Sequence, residues 1–318
     1  MESELGYCTL EVSLAPQATL FDAERRLRSL LDELNEVLDP SGHRLLGYGI
    51  QPLTPPSRAL VAPKSRFLIY DRRYQSNFLN PSVGTDIHTF TVAAANQCHI
   101  DIAFDEAMAA VNTLGALAGV QLALTANSPV WRGEIDGRHQ AVRETFYDIL
   151  YDFHGDSIDR PFGILPEFGT LAEYIRFLLR FEPLMVLRHG HYVEVLGDSS
   201  IGDLLSAVGP IPGRTLAGDT VPIEPDRDGD LLSLANRLES NVRLSPQYGT
   251  LESRISCQQP PGEILVVPAL ILGLLENLPE AEALVGTWPR ATWQASRLGA
   301  ACLGLNARIA GQPITEIA

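Results

Sequence analysis

The stretch Gln97-Cys98-His99-Ile100-Asp101-Ile102 alternates strictly, with Gln97, His99 and Asp101 on one face and Cys98, Ile100 and Ile102 on the other. Successive side chains of a strand point to opposite sides of the pleat, so this period of two predicts a strand with one buried face. The strand is expected to run from about His88 to Ile102 and to carry three polar groups side by side. A solvated sheet face and a ligand-binding face both fit that pattern, and a lone His99 satisfied on a sheet would be unremarkable chemistry.

Working outward, Asp105 is placed to cap a small-residue helix reaching about Ala126, rich in Ala, Leu and Gly and so expected to be buried on most sides. Asn127-Ser128-Pro129 breaks it, and a polar, aromatic stretch follows to Asp159. Upstream, Tyr7 to Leu14 alternates, putting Glu11 on a polar face, and Arg44 to Gln51 reads as a second strand. Between them Leu20, Ala23, Leu27, Leu30, Leu31, Leu34 and Leu38 recur at helical spacing until Asp39-Pro40-Ser41-Gly42 ends the run. A Pro-rich loop from Pro52 to Pro63 delivers Lys64 and Arg66.

Downstream, a helix is expected from about Thr170 to Phe181, then a hairpin of Leu184–Arg188 and His191–Val195 around His189-Gly190. Residues 208–230, dense in Gly, Pro and Asp, read as a surface connection. Gly249 to Cys257 alternates again, with Thr250, Glu252 and Arg254 opposite Leu251, Ser253 and Ile255, and the remainder reads as helical. The flanks of 208–230 show no composition shift, so residues 1–318 are expected to form a single domain.

Composition narrows the function classes. Lys+Arg 24 against Asp+Glu 39 leave a net charge of −15, which gives no basic footprint for a nucleic-acid backbone and disfavours an anionic membrane. The longest apolar run, Ile264 to Leu275, contains Pro268 and is too short to span a bilayer. Four scattered cysteines, Cys8, Cys98, Cys257 and Cys302, lack zinc-site spacing and are expected as buried free thiols. The Met-Glu-Ser-Glu start has no basic, apolar leader, so a cytoplasmic location is expected. Neither G-x-x-x-x-G-K-[ST] nor G-x-G-x-x-G occurs, so any use of ATP would proceed without a P-loop. Glu11, the Gln97/His99/Asp101 face and the Glu252/Arg254 face are three polar strand faces that together could hold divalent cations and a polyphosphate.

Several segments in order resemble the second family of glutamate-cysteine ligases, the carboxylate-amine ligases. They are Cys8-Thr-Leu-Glu11-Val, Leu46-Gly-Tyr-Gly-Ile-Gln-Pro52, Pro63-Lys-Ser-Arg66-Phe67, Gln97-Cys-His99-Ile-Asp101, Asn127-Ser-Pro129 with Trp131 and Gly133, Arg143 followed by Tyr147, and Leu251-Glu252-Ser-Arg254. Each is short, and their order and spacing cover nearly the whole chain.

The resemblance implies an α+β, glutamine-synthetase-like fold, in which a curved antiparallel sheet forms a half-barrel with helices packed outside. It implies ATP and Mg²⁺ as cofactors, amino acids as small-molecule substrates, and amide formation through an acyl phosphate, with the γ-carboxylate of glutamate and the amine of cysteine first in line. Carried over position by position, Glu11, His99, Asp101 and Glu252 would be metal-binding. Arg143 and Arg254 would be catalytic, near the transferring phosphate or the acceptor carboxylate. Arg66, Gln97, Asn127 and Trp131 would bind substrate. Competing readings stand beside these: Arg66 as a surface arginine, Asn127 as a helix C-cap and Trp131 as a packed aromatic.

The chain departs from the family pattern in one respect. Family members open with a strand reading approximately G-x-E-x-E, and this sequence starts after that place; Glu2 and Glu4 do not replace it. Three readings follow: a start placed late, a partner chain or second copy that completes the sheet, or a protein that kept the fold and lost the chemistry.

Overall fold

Segments whose backbone groups are claimed by loops cannot also pair in a sheet, and this decides the N-terminal third. The computed structural model describes residues 2–74, 87–151 and 162–317. β1 (Glu2–Ser3) and β2 (Leu10–Glu11) form a two-stranded antiparallel pair, so the strand expected over 7–14 shrinks to two residues. Tyr7 N–H instead donates to Leu60 O at 2.9 Å, Ala62 N–H to Leu5 O at 2.8 Å, and Thr9 Oγ1 to Ala93 O at 2.9 Å. The second strand expected over 44–51 is absent, with only a single bridge between Ile50 and Ala93. There the chain runs close against residue 259: a Cβ on Gly47 would lie 2.3 Å from Gln259 O.

α1 (Leu20–Leu38) matches the expected bounds, opening on Thr19, whose hydroxyl accepts from Asp22 N–H, and closing through Gly42 at φ 72°. α2 (Ser65–Tyr74) follows the Pro-rich loop and carries Arg66 in its first turn. The long strand expected from His88 begins ten residues later. Ile87–Val92 is a 3-10 turn, held in part by Thr91 Oγ1 donating to His88 O, and β3 is Cys98–Asp101. The helix expected over 105–126 is two, α3 (Ala107–Ala116) and α4 (Ala118–Thr125), bent by 57° at Leu117. Glu106, not Asp105, stands at the N-cap, without a side-chain cap bond.

β4 (Val130–Trp131) and β5 (Glu134–Ile135) make a hairpin through Arg132 and Gly133, both at positive φ, before α5 (Val142–Tyr151). Residues 152–161 of the expected polar, aromatic stretch lie outside the described residues. β6 (Phe162–Gly163) is followed by α6 (Leu171–Leu178), capped by Thr170. The expected hairpin is β7 (Met185–Arg188) and β8 (His191–Val195), turning on His189 at φ 50° and Gly190 at φ 79°. After α7 (Ile201–Ser206), the expected surface connection contains a second hairpin, β9 (Ile211–Arg214) with β10 (Thr220–Ile223), which extends that sheet to the order β10-β9-β8-β7.

α8 (Arg227–Leu234) leads to β11 (Glu239–Ser240), which pairs parallel with β6. β12 (Val242–Ser245) and β13 (Thr250–Ser253) then join β3 in an antiparallel sheet ordered β12-β13-β3. α9 (Val266–Glu276), α10 (Leu278–Val285) and α11 (Arg290–Leu303) follow, and β14 (Arg308–Ile309) with β15 (Gln312–Pro313) forms a last hairpin. The architecture is therefore α+β, with several small, mostly antiparallel sheets, none of them closed.

The sheet that matters for function is positioned by its apolar face. Leu251 and Val242 are buried in one cluster with Leu114 of α3 and Ile271 of α9, and Ile100 and Leu244 pack against it. α4 lies so close on α11 that a Cβ on Gly119 would sit 2.7 Å from Ser296. Of the four free cysteines only Cys98 and Cys257 are buried, whereas Cys8 is exposed and Cys302 intermediate. Among the described residues no single helix is long and apolar enough to cross a membrane.

Candidate functional site

Antiparallel register sets which side chains meet across the β12-β13-β3 sheet. Arg243 is opposite Glu252, and Glu252 is opposite His99, so one row of three polar residues crosses all three strands. The next row is Ser245, Thr250 and Asp101. Gln97, His99 and Asp101 are exposed while Cys98 is buried, so the alternation in the sequence gives the correct faces. Gln97 lies immediately before β3.

Glu252 is the centre of the row and is only 2 % exposed. Its Oε2 accepts from Arg243 Nε at 2.6 Å, and its Oε1 is in contact with Arg254 Nη1. Burial works against ionising this carboxyl, yet Arg254 and Arg243 outweigh burial and hold it at about 2. Arg243 also donates to the carbonyls of Asn236 and Leu238. His99 Nε2 is 3.7 Å from Glu252 Oε2, and its Nδ1 is 2.9 Å from Thr250 Oγ1. Its pKa is lowered, first by burial and then by Arg243 and Arg254, with Glu252 pulling the other way. The exposed Tyr248, in the β12–β13 turn, meets the His99 ring edge-to-face at 6.0 Å.

Arg254 is fixed through its backbone as well. Its N–H donates to Asn241 O at 2.9 Å, and its carbonyl accepts from Arg143 Nη2 at 3.3 Å. Arg143 is buried, and its other donor Nη1 reaches Ile255 O at 3.3 Å and Glu144 Oε2 at 3.5 Å. Glu144, itself buried, accepts from Arg297 Nη1 and from Asn241 Nδ2, both at 2.9 Å. Arg143 thus lies beneath the segment that carries Arg254, not on the open face.

The remaining expected site residues are dispersed. Glu11 lies on β2, in a different sheet from His99, Asp101 and Glu252. Arg66 lies over the Phe67 ring at 4.6 Å, and its buried Nε makes no hydrogen bond among the described residues. Asn127 Nδ2 is spent on two carbonyls, Gly47 O at 3.0 Å and Gln258 O at 2.9 Å, which ties three segments together. Trp131 packs on Phe146 at 5.0 Å and lines an open cleft of about 530 Å³ with Glu134, Asp136, Arg138 and His139.

Magnesium wants near-octahedral oxygen ligands at about 2.0–2.1 Å, commonly one or two carboxylates plus water or phosphate. Among the described residues no group of three or more His, Cys, Asp or Glu side chains converges, and both Glu252 oxygens already face guanidinium groups. The donor set therefore does not fit a resident magnesium ion built from Glu11, His99, Asp101 and Glu252.

Arg243, Glu144, Asn241 and Arg297 complete the site and are missed by sequence reasoning. Arg243 had a signal: Val242 and Leu244 alternate with Arg243 and Ser245 just before a Pro- and Gly-bearing turn. The others pair across 97 and 153 residues, which no local pattern reports.

The family model for glutamate-cysteine ligase family 2 matches residues 1–314, and the chain belongs to that family. It is 27 % identical over 183 residues to a protein named putative glutamate–cysteine ligase 2-3 of Rubrobacter xylanophilus, covering 57 % of this chain and 44 % of that one. It is also 27 % identical over 212 residues to glutamate–cysteine ligase A, chloroplastic, of Oryza sativa subsp. japonica, covering 64 % and 40 % respectively. The matches thus span less than half the length of these relatives.

Proposed function

We propose that the chain acts in ATP-dependent amide-bond formation between amino-acid substrates, with the γ-carboxylate of glutamate and the amine of cysteine as the first pair to test. In this chemistry ATP phosphorylates the carboxylate, releasing ADP, and the amine then displaces phosphate from the acyl phosphate. The carboxylate and every phosphate species handled are oxyanions, and positioning plus electrostatics carry such transfers. The observation that carries the reading is Arg254, its guanidinium against Glu252 and its backbone tied to Asn241 and Arg143, close enough to the exposed His99 to help lower its pKa. Arg66, at the start of α2, is a second guanidinium for a substrate carboxylate, and Gln97 and Trp131 stand as further substrate contacts. Arg143 and Asn127 support the reading from below, as props of the segments around it. A glutamine-synthetase-like half-barrel, a single domain and a cytoplasmic location belong to the same proposal. No step is assigned to magnesium, because the described residues do not offer it a donor set.

The test is incubation of the purified chain with ATP, Mg²⁺, glutamate and a panel of amines including cysteine, with ADP release and product mass as readouts. A γ-glutamylcysteine mass with stoichiometric ADP is expected. A second reading has its own observation: Glu11 stands in another sheet and Glu252 is closed by arginines, so a partner chain or second copy would have to supply the remaining carboxylates. A folded chain that makes no ADP alone, and does so when a second polypeptide of the source is added back, selects that reading.

A further inference from the structure

An amino acid that is to form an amide through its amine arrives as an ammonium ion at neutral pH, and it attacks only after losing a proton. In the charged row Glu252 is closed by two arginines, and His99 is placed between Thr250 and Glu252. His88 meets a carboxylate, Asp71, at 2.7 Å, but both residues are buried. The cleft beside Trp131 holds a different arrangement.

Its volume is about 530 Å³, and Asp136 and His139 both line it. Asp136 Oδ1 accepts from the N–H groups of Arg138 and His139, each at 2.8 Å, and lies 3.0 Å from His139 Nδ1. An ionised carboxylate only accepts, so Nδ1 carries the proton of that bond, and the neutral ring keeps Nε2 as its basic atom. Burial works against ionising Asp136, yet the two N–H groups and the imidazole outweigh it and lower its pKa. A carboxylate behind Nδ1 steadies the imidazolium that forms when Nε2 takes a proton. The His139 side chain is 26 % exposed, so a small molecule in the cleft can reach it.

The other walls suit an amino acid. Glu134 carries the charge opposite to an ammonium and Arg138 the charge opposite to a carboxylate. Trp131, packed on Phe146 at 5.0 Å and with the Arg132 guanidinium 4.9 Å from its ring, gives the cleft a fixed side. One short segment ties the cleft to the charged row. Ser128 N–H donates to Gln140 O at 3.0 Å, Arg143 N–H donates to Ser128 Oγ at 3.2 Å, and the Arg143 guanidinium donates to Arg254 O.

We infer that this cleft receives the incoming amino acid and that His139 is the base that takes a proton from its ammonium group, with Asp136 as the positioning residue behind it. The inference rests on the ligase reading, in which an acyl phosphate awaits the amine. Of the ammonium protons, one passes to His139 Nε2, one leaves with the phosphate and one stays on the amide. The nitrogen lone pair forms the C–N bond, and the C–O bond to phosphate breaks with its electron pair. His139 then returns its proton to solvent.

Two amines separate this base from the rest of the machinery. Hydroxylamine is largely unprotonated at pH 7 and traps an acyl phosphate as a hydroxamate without needing a base. Hydroxamate formation, and condensation with the amino acid that the wild type accepts, are followed by product mass on the purified chain with ATP, Mg²⁺ and glutamate. His139→Gln is expected to lower the ratio of condensation to hydroxamate formation about a hundredfold, the lower end of general-base catalysis. Asp136→Asn keeps an acceptor for the Arg138 and His139 N–H groups and should lower the ratio in the same direction by less. A loss shared equally by the two amines, or no loss, overturns the inference, and Asp136→Asn gives that answer if His139→Gln fails to fold. Hydroxamate without condensation for any amino acid also overturns it, while acyl phosphate formation stands. A wild type that forms neither product refutes the ligase reading, and the inference with it.

Discussion

Arg243 and Glu252 stand directly opposite each other in the β12–β13 register, with Arg243 Nε 2.6 Å from Glu252 Oε2. A cross-strand pair of opposite charge on a solvated sheet contributes little, but this one is desolvated on both sides, and losing one partner strands the other. Glu252 therefore ties Arg243 of β12 and the Arg254 guanidinium to one carboxylate.

The first expectation concerns acid. Glu252 is held at about 2 against an ordinary 4.5, so the folded state binds a proton there less readily than the unfolded chain. Its stabilisation is fully present above pH 4.5 and is lost as pH falls through the interval down to about 2. The shift corresponds to on the order of 3 kcal/mol. Urea denaturation at pH 7 and pH 3 should show a wild-type loss of about 2 kcal/mol, the part already given up at pH 3, that Glu252→Gln does not share; equal slopes with pH in both proteins would refute it.

Leu251 is fully buried beneath the charged row, between α3 and α9. Leu251→Ala should cost about 2–5 kcal/mol by removing packed methyl groups and leaving a cavity. Chemical denaturation measures it, and a cost below about 1 kcal/mol would mean the sheet does not rest on that cluster.

Glu144 joins α5, α11 and the residue before β12 through Arg143, Arg297 and Asn241. Glu144→Ala leaves two buried guanidinium groups without their carboxylate and should destabilise by about 3–5 kcal/mol. Glu144→Gln keeps one acceptor and should lose less. Equal melting temperatures for the wild type and Glu144→Ala would contradict the network.

The histidine on the row titrates low. Burial depresses His99 below its ordinary value of 6.5, so it is neutral at pH 7. Its ring proton shifts in a pH series should give a midpoint below the ordinary value of 6.5; a midpoint above it would reverse the balance between burial and Glu252.

Thiol chemistry separates the cysteines. Cys8 is exposed, whereas Cys98 is buried and pushed up to about 12 and Cys257 is buried and raised, in each case chiefly by burial. Alkylation of the folded chain should mark Cys8 ahead of Cys98 and Cys257, as peptide mapping will show; early labelling of Cys257 would contradict its burial.

Local pattern made much of this legible. The faces of β3, the turn at His189-Gly190 and the bounds of α1 follow from periodicity, positive-φ turn residues and breakers. The β9–β10 hairpin escaped because Pro212 and Pro222 read as loop residues, yet they pair across the two strands, and Pro212 needs only its carbonyl to accept from Leu196. The single helix expected over 105–126 is broken because α3 packs on the sheet and α4 on α11, a demand of tertiary packing that composition does not carry. In the site, the sequence marks Glu252 and Arg254 but not their closure by Arg243, since charge pairing is a property of register and not of spacing.

The pairing of β3 with β13 also sets a timetable. His99 waits for Glu252, and Asn127 for Gln258, 131 residues later. A ribosome adds roughly 5–20 residues per second, so β3 spends on the order of ten seconds or more with that edge unpaired. The site therefore forms only after β13 has been made, and slowing elongation between residues 102 and 250 lengthens the interval in which an aggregation-prone strand waits for its neighbour.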